Sequence, residues 1–321
     1  KTFKEAKNNN KFIPFRGPVN KKTLSCAEDL EYKIIKNDKY GFKNSNSIYE
    51  KKINVILLGA SHAEGFCYTS QDDIAGNLIK KNINTLNLGV AATGPLVSLG
   101  VLREFAPIYR PKNIIYLYFE SNNLDFLKWE KEDKDLIKYL NKNHRTNYTD
   151  RLSEIEEFLV SIEKESIEIA KVKANQSQPT NKGKKEYFLA SIRDILEINI
   201  LRSKFKKFFL SKNPSNDLDL FYNIVYEMKA EAQKLDAKFT FVYVPNWERF
   251  FNKNSNLHPV MNLKETIIEK LRVDQIDIID LTDFFGDAKN LNDYYPLGFI
   301  GHFNKKGYRK IAEIIKQRIS D

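Results

Sequence analysis

Short, nearly continuous apolar runs alternate along the chain with longer segments whose apolar residues recur every three or four positions. The first clear run, Ile53 to Leu58, follows Lys51 and Lys52 and stops at Gly59, Ala60 and Ser61. Runs of this kind read as strands buried on both faces. Residues 72–82 carry Ile74, Leu78 and Ile79 at helical spacing and predict an amphipathic helix. Residues 84–90 are short and strand-like. Residues 95–109 predict a helix with Pro95 at its first position, and 113–119, "NIIYLYF", a further buried strand. The alternation resumes late in the chain: helix 218–235, strand 238–245, helix 263–273, strand 276–281 and helix 305–319. A repeated β-α-β order predicts a parallel, doubly wound sheet within a three-layer α/β/α sandwich.

Two stretches break this rhythm. Residues 1–50 are polar and rich in Asn and Lys, with Pro14, Gly17 and Pro18, and read as an irregular arm packing on the core. Residues 124–212 are helical in pattern and laced with charge, around a loop at 173–185. They read as a helical insertion into a domain spanning 51–321, with a solvated face or a lid over one end of the sheet.

Composition narrows the picture. The chain of 321 residues is 42% hydrophobic and holds 22 Phe and 16 Tyr, enough for a large core. The formal charge of +10 could suit an anionic partner. Lys is scattered among acids, however, without a basic stripe interleaved with aromatics, so nucleic acid is not an expected partner. No run of apolar residues is long enough to span a bilayer. The chain begins at Lys1, which leaves room for a signal or membrane anchor upstream. Two cysteines, Cys26 and Cys67, fit one disulfide outside the cytoplasm or two reduced thiols inside it. With no CxxC or His/Cys cluster, neither a metal nor another cofactor is expected.

In a parallel sheet the strand ends converge on one rim, where ligands sit. Four segments reach that rim: Ser61 after the first strand, "NLGVAATGP" after the second, "FESNN" after the third, and His302 in "GFIGHFNKKGY" before the last helix. A serine hydroxyl is a poor nucleophile until a base takes its proton. An imidazole suits that task near neutral pH. A developing oxyanion needs preorganised donors, which turn N–H groups and an asparagine amide supply. His62 follows Ser61 directly and is expected to play a structural or rim role. His144 and His258 lie in polar, loop-like contexts and are expected to be solvated.

These segments resemble the four blocks of the SGNH hydrolases, also called GDSL esterases and lipases. "GASHAEG" matches the first block at Gly59, Ser61 and Gly65; "NLGVAA" the second at Asn87 and Gly89; "ESNN" the third at Asn122; and "FIGHFNKKGY" the last at His302. The match in order and spacing covers roughly residues 50–125 and 238–321. The phrase "DKYGFKNSN" ahead of the first strand is similar to one in a bacterial envelope-linked branch of that family. The resemblance implies a serine esterase acting on an O-acyl carbohydrate or other acylated substrate through an acyl-Ser61 intermediate, with His302 as base. Ser61 N–H, Ala92 N–H and the Asn122 amide would hold the oxyanion. It equally implies an acyltransferase of the same chemistry, or a degenerate binding module.

The sequence departs from the family pattern at Ala60, Ala92, Ser121, Asn123 and, above all, Phe299. Phe299 stands where the acid three residues before the histidine belongs. That acid orients the imidazole and stabilises its charged form. Either a Ser–His pair works with a backbone carbonyl, or another acid reaches in. Asp293, in the same loop, and Asp283, near the last strand, are the expected candidates. A Cys26–Cys67 bridge, enclosing about 41 residues, would pin the arm beside the site, contribute roughly 3–4 kcal/mol by loop-closure entropy, and place the protein in the periplasm or envelope.

Overall fold

A computed structural model describes residues 15–17, 19–25, 28–161, 164, 168, 217–251, 259–298 and 301–320. Five parallel strands form the central sheet: β3 (Val55–Gly59), β4 (Thr85–Asn87), β5 (Asn113–Phe119), β6 (Lys238–Val244) and β7 (Asp277–Asp280), in the order β4-β3-β5-β6-β7. Their side chains alternate between two apolar layers. Ile56, Leu58, Tyr116, Tyr118 and Phe241 pack towards helices Pro95–Tyr109 and Leu218–Gln233. Val55, Leu57, Ile115, Leu117 and Val242 pack towards helices Ile74–Ile79 and Lys305–Ser320. Because both faces are apolar, a period of two is hidden inside runs that look uniformly hydrophobic. The result is the expected three-layer α/β sandwich. Its strand order reverses at β3, so the loops after β3 and β5 flank the crevice that such a reversal creates.

The arm is more ordered than its composition suggests. β1 (Lys22–Leu24) pairs antiparallel with β2 (Ile34–Lys36) in a hairpin separate from the main sheet. The "DKYGFKNSN" phrase then locks the arm to the core. The Asp38 carboxylate accepts hydrogen bonds from the N–H groups of Tyr40 and Phe42, the Asn44 amide and the Tyr49 hydroxyl. Asn44 bonds both the N–H and the C=O of Asn87, each at 2.9 Å. Lys43, fully enclosed, donates to the carbonyls of Gly65 (2.5 Å) and Tyr68 (2.9 Å) and lies 3.4 Å from the buried carboxylate of Asp73.

Part of the expected helical insertion differs. The helix Asn123–Glu130 ends early, and residues 131–151 run as bends with short 3-10 turns at Ile137–Leu140 and Tyr148–Arg151. Buried side chains of helix Pro95–Tyr109 hold this segment: Arg103 donates to the carbonyls of Tyr139 and Asn141, and Glu104 accepts from the Tyr139 hydroxyl and the N–H groups of Thr146 and Tyr148. These tertiary bonds outweigh the helical periodicity. His144 packs edge-on against Tyr139 at 4.8 Å and is half-buried rather than simply solvated. A helix runs through 152–161, and most of the remaining expected insertion, with His258 and Phe299, lies outside the described residues. No helix among the described residues is long and apolar enough to cross a membrane.

Candidate active site

β3 ends in a turn that only small residues allow. Gly59 has φ 136°, and a Cβ there would lie 2.5 Å from the Leu117 carbonyl oxygen. Ser61 opens a single helical turn, Ser61–Glu64, which Gly65 closes at φ 72°. The turn leaves the Ser61 hydroxyl 2.7 Å from Nε2 of His302. On the other side of the imidazole, Nδ1 lies 2.8 Å from Oε1 of Glu28, while the His302 N–H donates to Oε2 at 2.9 Å. A carboxylate at Nδ1 fixes that nitrogen as the donor and leaves Nε2 free to accept from the serine. Burial raises the Glu28 pKa, but the hydrogen bonds and charge of His302 outweigh it and hold the carboxyl below its ordinary value. Gly301, at φ 139°, makes room: a Cβ there would lie 3.0 Å from Glu28 Oε2.

The acid at His302 is therefore neither Asp293 nor Asp283. Asp293 is exposed and pairs with Lys306 at 2.6 Å. Asp283 is exposed on the short helix Leu281–Gly286. Glu28 stands 274 positions from His302 in sequence, in the arm, where a glutamate between Ala27 and Asp29 carries no local signal of a role.

The imidazole of His302 is also held by rings, with centroids of Phe66 at 5.0 Å and His62 at 4.8 Å. His62 turns inward, packed on Phe119 at 4.3 Å and Phe303 at 5.3 Å, and its Nδ1 has no hydrogen-bond partner. Burial, reinforced by the neighbouring His302, pushes its pKa well below the ordinary imidazole value, so it stays neutral.

The second and third loops are braced by buried polar groups. Asn87 accepts the Gly89 N–H at 3.0 Å and donates to the Ala63 carbonyl at 2.9 Å, tying this loop to the serine turn. Gly89 permits the approach, since a Cβ there would sit 2.4 Å from the Glu64 nitrogen. Glu64 accepts the Ala91 N–H at 2.6 Å, and Glu130 accepts those of Gly94 at 2.6 Å and Leu96 at 2.9 Å. Ala92 lies between these anchors, exposed and left-handed at φ 60°, the conformation that favours glycine. After β5, the fully buried Glu120 gathers the Tyr243 hydroxyl, the Asn246 N–H and the Arg249 guanidinium. Asn122 follows, half-buried, with its side-chain Oδ1 unpartnered. Asn123 is buried and accepts the Phe119 N–H at 2.7 Å, closing the turn. Cys67 is fully buried at φ 67°, and no cysteine among the described residues is free; Cys26 lies outside them.

A serine hydroxyl, an imidazole and a carboxylate thus meet in one hydrogen-bonded chain at the rim where the four sequence blocks converge. The chain matches no protein-family model and no curated protein sequence. Among solved structures it is similar to a G-D-S-L family protein from Desulfitobacterium hafniense DCB-2, with 11% identity, 82% of this chain and 98% of that one covered, and a TM-score of 0.44. It is similar to a candidate acylhydrolase from Bacteroides fragilis NCTC 9343, with 14% identity, coverages of 83% and 86%, and a TM-score of 0.41. It is also similar to a two-domain esterase active on acetylated mannans, crystallised with mannopentaose, with 11% identity and a TM-score of 0.39; there it covers 86% of this chain and about half, 51%, of the other.

Proposed function

We propose that the chain is an SGNH-type serine enzyme that cleaves an O-acyl ester through an acyl-Ser61 intermediate. The observation that carries this reading is the continuous Ser61–His302–Glu28 hydrogen-bond chain. Nε2 of His302 takes the Ser61 proton as Oγ attacks the ester carbonyl. Glu28 orients the ring and stabilises the imidazolium that forms. The N–H groups of Ser61 and Ala92 and the Asn122 amide hold the oxyanion. The imidazolium then protonates the departing alcohol oxygen as its bond to the acyl carbon breaks. An acceptor hydroxyl, deprotonated by His302, then attacks the acyl carbon, and the imidazolium returns that proton to Ser61 Oγ as its acyl bond breaks: water gives hydrolysis, a sugar hydroxyl gives transfer. The proposed substrate is an acylated carbohydrate. We place the protein outside the cytoplasm, with Cys67 bridged to Cys26, two residues ahead of Glu28, so that the bridge keeps the acid's hairpin beside the site.

The test is labelling with a fluorophosphonate together with turnover of p-nitrophenyl acetate. Both are expected in the wild-type chain, and both are expected to vanish in Ser61→Ala. A wild-type chain that neither labels nor turns over would overturn the reading.

A further inference from the structure

The hairpin that delivers Glu28 presents an unusual outer face. Leu24 and Ile34 lie directly opposite each other across its two strands, and Lys22 lies opposite Lys36. Residues two apart on a strand share a face, so Lys22, Leu24, Ile34 and Lys36 all point one way, with Tyr32 just ahead of the second strand. Lys33, between two of them, points the other way and packs on the Tyr68 ring at 5.3 Å. The outward apolar side chains are strongly exposed: Leu24 69%, Tyr32 71% and Ile34 67%. At the tip, Leu30 is 76% exposed and left-handed at φ 65°, where a bulky side chain is uncommon. Half of the large apolar side chains exposed among the described residues thus fall on this one small hairpin. Clustered apolar exposure of this kind marks a contact surface.

The charges indicate what covers it. Like charges directly opposed across two strands cost stability, yet Lys22 and Lys36 are so placed and neither has an acidic partner among the described residues. Asp29 pairs with Lys33 at 2.6 Å on the inner side, and the solvent-exposed Glu31 lies 3.8 Å from the same lysine, so Lys33 takes up the nearby acids. The outer face therefore combines leucine, isoleucine and tyrosine with two uncompensated lysines. That is the composition of elements that lie in the headgroup region of a bilayer, with apolar side chains entering the acyl boundary and lysines meeting anionic headgroups. We propose that this face of the β1–β2 hairpin docks on an anionic lipid surface.

The test is flotation of the full chain with vesicles of phosphatidylcholine alone and of phosphatidylcholine containing about a third phosphatidylglycerol. Wild-type protein is expected to float with the anionic vesicles and to be released by high salt. Lys22→Gln/Lys36→Gln is expected to lose that preference by on the order of tenfold or more. Leu24→Ser/Ile34→Ser is expected to lose binding to a similar degree, on the order of tenfold, through the apolar contribution. Unchanged fluorophosphonate labelling and thermal unfolding of the lysine variant would exclude a folding defect. Wild-type protein that ignores anionic vesicles, or variants that float equally well, would overturn the proposal. So would a wild-type dimer in light scattering that the Leu24→Ser/Ile34→Ser variant loses, since the face would then belong to a second copy of the chain.

Discussion

Ser61 and Glu28 reach the same imidazole from regions built in opposite ways. Every residue from Val55 to Gly65 is buried, and the turn that carries the serine is held by β3, by the Asn87 bridge and by Lys43 beneath it. The strands beside Glu28 are mostly exposed and belong to a two-stranded hairpin, a unit marginal on its own. Ser61 is therefore positioned by close packing on every side, whereas Glu28 rides on an exposed hairpin. A site made from two such regions can lose its acid without losing its fold, whereas the serine turn cannot move without disturbing the core.

The sharpest way to break this contrast is to remove each partner in turn. Ser61→Ala and His302→Ala should each cost about ten-thousand-fold or more in kcat, with the double variant little worse, because one unit is lost either way. Glu28→Gln should cost somewhat less, roughly a thousand- to ten-thousand-fold, by analogy with the acid of a serine protease triad. Steady-state kinetics on a soluble ester measures all of these. Full activity in Glu28→Gln would show that the hairpin carboxylate is idle.

The next effect concerns stability rather than rate. Lys43→Met strands the buried carboxylate of Asp73 beneath the serine turn and should cost about 3–5 kcal/mol in denaturant unfolding. Lys43→Met/Asp73→Asn should recover much of this. A loss below about 1 kcal/mol in the single variant would place the turn's support elsewhere.

Asn122→Ala should lower kcat on the order of 100-fold, the usual cost of one oxyanion donor. It should leave the melting temperature nearly unchanged, because the side-chain oxygen it removes is buried and unpartnered. A parallel fall in stability would recast Asn122 as a turn former.

The smallest effect is in the brace of the second loop. Burial pushes the Glu130 carboxyl up to about 7, against the pull of the Gly94 and Leu96 N–H groups. In the unfolded chain a glutamate titrates near about 4.3, so between those values the folded state holds a proton that the unfolded state has released. This contribution to stability is complete below the unfolded pKa and is lost as pH rises through the folded one. The melting temperature should therefore fall as pH rises across that interval, with the slope flattened in Glu130→Gln. An unaltered slope would assign the titration to another group.

The contrast between the two regions also governs what the sequence made legible. The strands at 113–119 and 238–245 and the helix at 95–109 were readable almost to the residue, because continuous apolar runs and helical spacing are local properties. Ser61, Asn122 and His302 followed, since a parallel sheet brings its strand ends to one rim whatever lies between them. The segment 131–142 misled, because its helical spacing yields to Arg103 and Glu104 of another helix. His62 was ambiguous for a related reason. Its position after the nucleophile says nothing about which way the ring turns, and packing on Phe119 settles it.

The sequence by itself determined the layered sheet, the rim and the serine–histidine pairing expected there, because local periodicity and parallel topology depend on short-range pattern. Only the tertiary structure decided the acid. A carboxylate in a polar arm resembles any solvated glutamate until the hairpin folds back and sets it 2.8 Å from the imidazole. The same holds for Lys43, whose charge is tolerable in the core only because Asp73 and two carbonyls meet it there. Contacts between residues so far apart in sequence leave no periodic trace in it, and arise only when the chain closes on itself.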